Sequence, residues 1–203
     1  MASPRDMDYE VGEAISAFKS GRPVMIYDSD YREMETDLLW HAAAATPEVI
    51  RRLRNDCGGL LFLAIGDEIG EMFGLPWLQD IHSHKTLVEE NPVLGHLVTN
   101  DLQYDSRSAF TLSLNHRETY TGITDRDRSL TTRRFGELSG ELLEKGENGA
   151  GAKERLGKEF RTPGHIPVCR ESPGGLKTRQ GHTELAVSIA RLAGLTACTI
   201  GAE

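Results

Sequence analysis

The sequence predicts a mixed α and β domain, and three observations carry that expectation. Apolar residues recur at helical spacing in some segments, as Val11, Ala14, Ile15 and Phe18 do. Between such segments stand short apolar runs, Pro23-Val-Met-Ile-Tyr27 and residues 60–65, with the length and flanks of buried strands. Glycine and proline punctuate the joins, at Gly21, Gly58-Gly59, Gly74, Pro76 and Gly194.

Taken in order, a helix is expected over 9–19 with Gly21 ending it, then a buried strand over 23–27. An acidic loop follows, after which Asp37 is placed to cap a helix over 38–45. Thr46-Pro47-Glu48 starts another helix, running to Asn55, with proline at its first position. Residues 60–65 read as a second buried strand and 67–73 as a short helix. Periodicity is weak over 80–104, which receives no assignment. A strand over 109–115 and a turn or strand over 119–124 lead into a helix over 125–145, irregular near Gly136 and Gly140. Residues 146–157, rich in glycine, alanine and charge, predict a mobile loop. A strand over 165–169 precedes the last helix, 184–193, with Leu185, Ile189 and Leu192 on one face.

Bulk properties bound the function. A chain of 203 residues, 38% apolar and 27% charged, suits one globular domain or two small ones. At that size about 70% of the extended-chain surface is buried, so neither disulfides nor structural zinc are needed. Cys57, Cys169 and Cys198 are odd in number and lack a C-x-x-C spacing, which favours a reducing cytoplasm. The N-terminus carries no apolar leader, and no run approaches the ~20 residues of a membrane span. A net charge of −8 excludes the basic face that non-specific nucleic-acid binding needs.

The densest polar feature is Asp28-Ser-Asp-Tyr-Arg-Glu-Met-Glu-Thr-Asp37. Oxygen-rich clusters suit Mg²⁺, and an extended loop would set Glu33, Glu35 and Asp37 on one side. Crowded carboxylates also raise one another's pKa, which suits proton transfer near neutrality. A solvated acidic turn accounts for the same residues, and an EF-hand does not, because the loop glycine is missing.

The second feature, Ser172 to Glu184, runs through Gly174-Gly175 and Arg179 into the last helix. Such a helix start offers free N–H groups to phosphate, Arg179 could clamp it, Thr183 could cap the helix, and His182 could ligate a metal. An ordinary capped helix fits as well. Arg161-Thr-Pro-Gly-His165 sets a histidine before a strand. His82-Ser-His84 reads as a surface turn. Gly146 to Lys153 is no phosphate loop, because Ala152 and Glu154 replace the required residues. Nothing beside Cys57 would lower its pKa.

Five blocks in order span nearly the whole chain: Gly21-Arg-Pro-Val-Met-Ile-Tyr-Asp28, Asp30 to Asp37, Thr121-Gly-Ile-Thr-Asp-Arg-Asp-Arg128, Arg161 to His165, and Arg179-Gln-Gly-His-Thr-Glu184. Together they resemble the 3,4-dihydroxy-2-butanone 4-phosphate synthase family of riboflavin biosynthesis, and Ser113-Leu-Asn-His-Arg117 is most similar to its archaeal branch. The resemblance implies an α+β fold, a single compact domain over 1–203 with a mixed β-sheet flanked by helices. It implies a lyase that turns D-ribulose 5-phosphate into L-3,4-dihydroxy-2-butanone 4-phosphate and formate, using Mg²⁺ or, as an alternative, Mn²⁺. It assigns the metal to Glu33 and His182. Substrate would be held by Arg32, Glu33, Asp37, Arg179, Gln180, Gly181, His182, Thr183 and Glu203. Catalytic positions would be His165, Glu203, Glu35, Asp28 and Thr121. A homodimer with shared active sites is implied as well.

Two departures bear on that carry-over. Phe62 stands where many members have cysteine, and the family pattern continues past Glu203 with an acidic tail, so a short C-terminal segment is expected to be missing. Other readings of the same residues are another metal-dependent sugar-phosphate isomerase or aldolase, or a non-catalytic domain binding a phosphate ligand or a partner.

Overall fold

The computed structural model describes residues 4–203, so residues 1–3 of the N-terminal stretch read for a leader lie outside it. Six strands form one mixed sheet in the order β1-β2-β6-β3-β5-β4. They are β1 (Val24–Tyr27), β2 (Thr36–His41), β3 (Leu61–Ile65), β4 (Phe110–His116), β5 (Phe160–Arg170) and β6 (Cys198–Ala202). The β3–β5 pair is parallel and the remaining neighbours are antiparallel. Helices α1 (Pro4–Lys19), α2 (Pro47–Asp56), α3 (Asp67–Phe73), α4 (Leu78–His82), α5 (Lys85–Glu90) and α6 (Val93–His96) occur in the first half. Helices α7 (Asp125–Glu144), α8 (Gly149–Glu159) and α9 (His182–Leu192) follow. The α+β architecture with a mixed sheet is as expected. No described helix is long and apolar enough to cross a membrane.

Strand β6, which carries no sequence assignment above, lies inside the sheet between β2 and β3, and all five of its residues are buried. Its composition explains both facts. Cys-Thr-Ile-Gly-Ala is small and uncharged, and a Cβ at Gly201 would come within 2.4 Å of Leu39 Cδ2. Thr199 donates its hydroxyl to the carbonyl of Ala186 at 3.0 Å, tying the strand to α9. Ile200, Leu39, Leu63 and Ile65 form the centre of the core with Phe135, Leu138, Val187 and Ala190.

Several expectations are corrected. Residues 38–45 are not a helix capped by Asp37. They form most of β2 and a 3₁₀ turn over Ala42–Ala44, because Leu38 to His41 pair with β6. Local alanine content lost to a long-range ladder. Strand β1 is not buried but at the sheet edge, with Met25 74% exposed. Residues 149–159 are helix rather than mobile loop, because Ala152 is buried and α8 packs against α3. Helix α7 runs unbroken through Gly136 and Gly140, glycines that admit close neighbours. A Cβ there would approach Ala42 Cβ and Thr196 Oγ1 at 2.9 Å each. On α9 the buried face is Ala186, Val187, Ile189 and Ala190, whereas Leu192 is 62% exposed, since small residues bring the helix close to the sheet. Thr46 does cap α2, accepting from Val49 N–H at 3.2 Å, and 119–124 is a turn.

Ile200 is fully buried in the strand that joins the two halves of the sheet. Ile200→Ala should therefore destabilise the protein by roughly 2–5 kcal/mol in a urea titration. A loss under about 1 kcal/mol would contradict this placement.

Candidate active site

The acidic loop joins β1 to β2 as a hairpin connection, and its shape comes from Asp28. The Asp28 carboxylate accepts the N–H groups of Glu33 at 2.8 Å and Glu35 at 3.2 Å. Burial opposes its charge, but these amides and that of Ser29 outweigh it and hold the pKa at about 2. The loop is a turn over 30–33 with Met34 left-handed at φ 58°, not the extended run expected. Even so, Glu33, Glu35 and Asp37 line one cavity of about 430 Å³. Its walls also include Leu60, Phe62, Leu102, Phe110, Cys169, Arg179, His182, Thr183 and Glu203. That volume suits a small ligand.

Helix α9 begins at His182 with Gly181 as its N-cap, so Thr183 sits in the first turn and does not cap it. A side chain on Gly181 would meet the guanidinium of Arg179, which folds back over the helix start. The His182 imidazole, 11% exposed, brings Nδ1 to 3.2 Å from Glu33 Oε2 and Nε2 to 3.2 Å from the Glu35 carbonyl oxygen. Asp28, Glu33 and His182 each offer a ligand atom within 4.8 Å of the others. Two hard oxygens and one imidazole nitrogen fit a small divalent cation. Close by, the buried Oδ2 of Asp37 has no hydrogen-bond partner, which is costly unless something binds it.

Cationic groups balance this acidity. Arg32 contacts Glu33 at 2.7 Å and Asp105 at 2.8 Å, while Arg179 contacts Asp105 at 2.7 Å and the fully buried Glu184 at 2.6 Å. Glu184 also accepts the Ser172 N–H at 2.9 Å. Asp105 thus bridges the two arginines. It lies just past the weakly periodic stretch 80–104, in residues that carry no assignment, and no sequence signal marked it.

Gln180 is exposed and outside the cavity lining, whereas Glu203 is at its rim, with its carbonyl oxygen accepting the Gly58 N–H at 2.5 Å. Burial pushes the Cys169 thiol up to about 12 and also raises Cys57, so neither is a ready thiolate.

Thr121, just past β4, and His165, midway along β5, form a separate group around Asn115 near the end of β4. The N–H groups of Thr121 and Gly122 donate to Asp127, itself bonded to the helix-capping Thr124. His165 packs on Asn115, which meets both its backbone N–H and its ring Nδ1. From Phe110 at the cavity to Asn115 is five strand residues, roughly 16 Å.

A mixed-sheet α+β domain that gathers carboxylates, an imidazole and two arginines at a helix start defines a metal-dependent enzyme for a small anionic substrate. The family model described as 3,4-dihydroxy-2-butanone 4-phosphate synthase matches residues 12–203. The enzyme of that name from Methanothermobacter thermautotrophicus is 39% identical over 193 residues, 95% of this chain and 80% of that protein. Its counterpart from Archaeoglobus fulgidus is 40% identical over 190 residues, 93% of this chain and 76% of that one. A crystal structure of 3,4-dihydroxy-2-butanone 4-phosphate synthase in complex with two magnesium ions matches with TM-score 0.70 at 26% identity, covering 95% of this chain and 74% of that one. The chain belongs to the 3,4-dihydroxy-2-butanone 4-phosphate synthase family, and it is a lyase of riboflavin biosynthesis.

Burial, the largest effect on Asp37, raises its pKa; His182 lowers it, while Glu33, Glu35 and Asp28 raise it, leaving it at about 6 against 3.8. A folded pKa above the unfolded one means that ionisation opposes folding. The penalty is absent below about pH 4 and complete above about pH 6. Without metal, the wild type should lose roughly 2–3 kcal/mol relative to Asp37→Asn between pH 4 and pH 7. Denaturant melts across that range check it, and a constant difference would refute the assignment.

Proposed function

We propose that this chain converts D-ribulose 5-phosphate into L-3,4-dihydroxy-2-butanone 4-phosphate and formate in the cavity between the acidic loop and α9. The observation that carries the reading is the meeting of Glu33 and His182, 149 positions apart, at 3.2 Å. Glu33 and His182, with Asp28 beside them, would hold Mg²⁺ or Mn²⁺, which when bound supplies Lewis-acid stabilisation of oxyanion character on the substrate.

The remaining steps belong to the chain's own groups. The amides of His182, Thr183 and Glu184 at the start of α9 have no helical acceptor and form a seat for the substrate phosphate. Arg179, held by Glu184 and Asp105, lies over the start of α9 beside that seat. Asp37, with its raised pKa and unpaired Oδ2, can hold or release a proton near neutrality. Glu35 and Glu203 add carboxylates at the rim, and Leu60, Phe62, Leu102 and Phe110 keep water from the reacting end. Remote phosphate binding then supports the reorganisation at the other end of the sugar.

His165, set against Asn115 near the end of β4, and Thr121, just beyond that strand, stand too far from the cavity of their own chain to serve it. The reading is therefore a homodimer in which these residues of one copy complete the cavity of the other. The exposed Leu97, Val98, Leu102 and Tyr104 beside the cavity are apolar surface that such a partner would cover. Three free cysteines agree with work in a reducing cytoplasm.

Purified protein should release formate from ribulose 5-phosphate with Mg²⁺ and stop when EDTA is added. Glu33→Gln and His182→Ala should each lower kcat by about 100-fold or more while melting normally. Phosphate binding without formate would instead mark a non-catalytic domain, and isomerised sugar without formate an isomerase. Refolding equal amounts of His182→Ala and His165→Ala together should restore about a quarter of wild-type activity, because half the dimers would be mixed and hold one intact site. No restoration would rule out shared sites.

A further inference from the structure

We propose that Asn115 is a positioning residue that holds the His165 ring in place and fixes its proton on Nε2. The inference rests on the reading of His165 as a catalytic group, and it adds the residue through which that group is aimed.

The backbone creates the need for such a residue. Leu114 pairs with Ile166, yet the next residue of β4, Asn115, pairs with Arg161. Residues 162–165 are thus looped out of the ladder, and the N–H groups of Gly164 and His165 lose their strand partners. Side chains of β4 replace them. Ser113 Oγ accepts the Gly164 N–H at 3.1 Å, and Asn115 Oδ1 accepts the His165 N–H at 2.9 Å. The looped segment lies directly on β4, where a Cβ at Gly164 would come within 1.9 Å of the Leu114 carbonyl carbon. Gly122 closes over the other side, since a Cβ there would meet Asn115 Nδ2 at 2.2 Å. Asn115 is itself only 4% exposed, so its amide orientation is set by these neighbours and not by water.

That orientation decides the histidine tautomer. Oδ1 must face the His165 N–H, because a flipped amide would point a donor at a donor. Nδ2 then sits 3.0 Å from the ring Nδ1, nearer than Oδ1 at 3.3 Å. An NH₂ group only donates, so Nδ1 must accept, and the ring proton resides on Nε2. An amide also cannot ionise. Asn115 therefore orients the ring without adding the charge that a carboxylate partner would bring, and His165 presents an Nε2–H donor.

Asn115→Asp separates this role from plain packing. The carboxylate still accepts the His165 N–H but offers an acceptor to Nδ1, so the ring must move its proton to Nδ1 and gains a proton more readily. In ¹⁵N NMR at pH 8, His165 should carry its proton on Nε2 in the wild type and on Nδ1 in the variant. The kcat for formate release should fall by about 10- to 100-fold, with KM within about threefold, and the limb of the pH profile that depends on His165 should move to higher pH. A wild-type ring protonated on Nδ1 would overturn the proposal, as would a variant with unchanged kcat and pH profile. The wild-type spectrum decides the tautomer even if the variant fails to fold. Full turnover in His165→Ala would instead overturn the catalytic reading of the histidine while leaving the tautomer assignment standing.

Discussion

Strand β6 enters the sheet between β2 and β3, and the backbone ladders on its two sides hold the whole site in register. On one side it makes Leu38 to His41 a strand, which turns the acidic segment into a hairpin loop with fixed ends. On the other it secures β3, whose neighbour β5 supplies Cys169 to the cavity wall. The Thr199 hydroxyl ties the strand to α9, and hence to His182 at that helix's start. Removing hydrogen-bonded β6 would leave the metal-ready groups on separate, unanchored pieces of chain.

Charge is the second organising constraint. Glu33, Glu35 and Asp37 crowd one cavity with Asp28 behind them, and such crowding resists folding unless it is offset. The offset is a chain of ion pairs, from Glu33 through Arg32, Asp105 and Arg179 to Glu184. Its inner end is buried, where breaking one partner is costlier than at the surface. The chain also joins the loop between β1 and β2 to the start of α9 through a single carboxylate. Acidity is concentrated where a cation can use it and neutralised elsewhere.

Much of this was legible in the sequence, for local reasons. Thr46-Pro47 at the start of α2 and Gly74 at the end of α3 mark helix limits through a side-chain cap and a left-handed turn that the sequence states directly. The acidic loop and the Arg179-to-Glu184 segment were legible as chemistry because several unusual residues stand close together. What failed depended on distant partners. Residues 38–45 carry helix-favouring alanines, and only pairing with β6 makes most of them a strand. Residues 146–157 look unstructured until Ala152 is buried and α8 packs on α3. Asp105 lies just past the weakly periodic stretch 80–104, and only the folded chain brings it to Arg32 and Arg179. Asn115 did leave a trace, since Thr111, Ser113 and Asn115 put three polar groups on one face of a strand.

The segment looped out of β5 acts as a ruler. Four residues separate two positions that pair with adjacent residues on β4, and they are the number that sets His165 against Asn115. Deleting or adding one uncharged residue there would leave charge and core unchanged, yet move the imidazole away from its amide. Surface turns such as that before α8 have no counterpart across a ladder and can vary in length. Tolerance of insertions and deletions along this chain thus follows the counting of residues between paired strands, not their exposure or their chemical type.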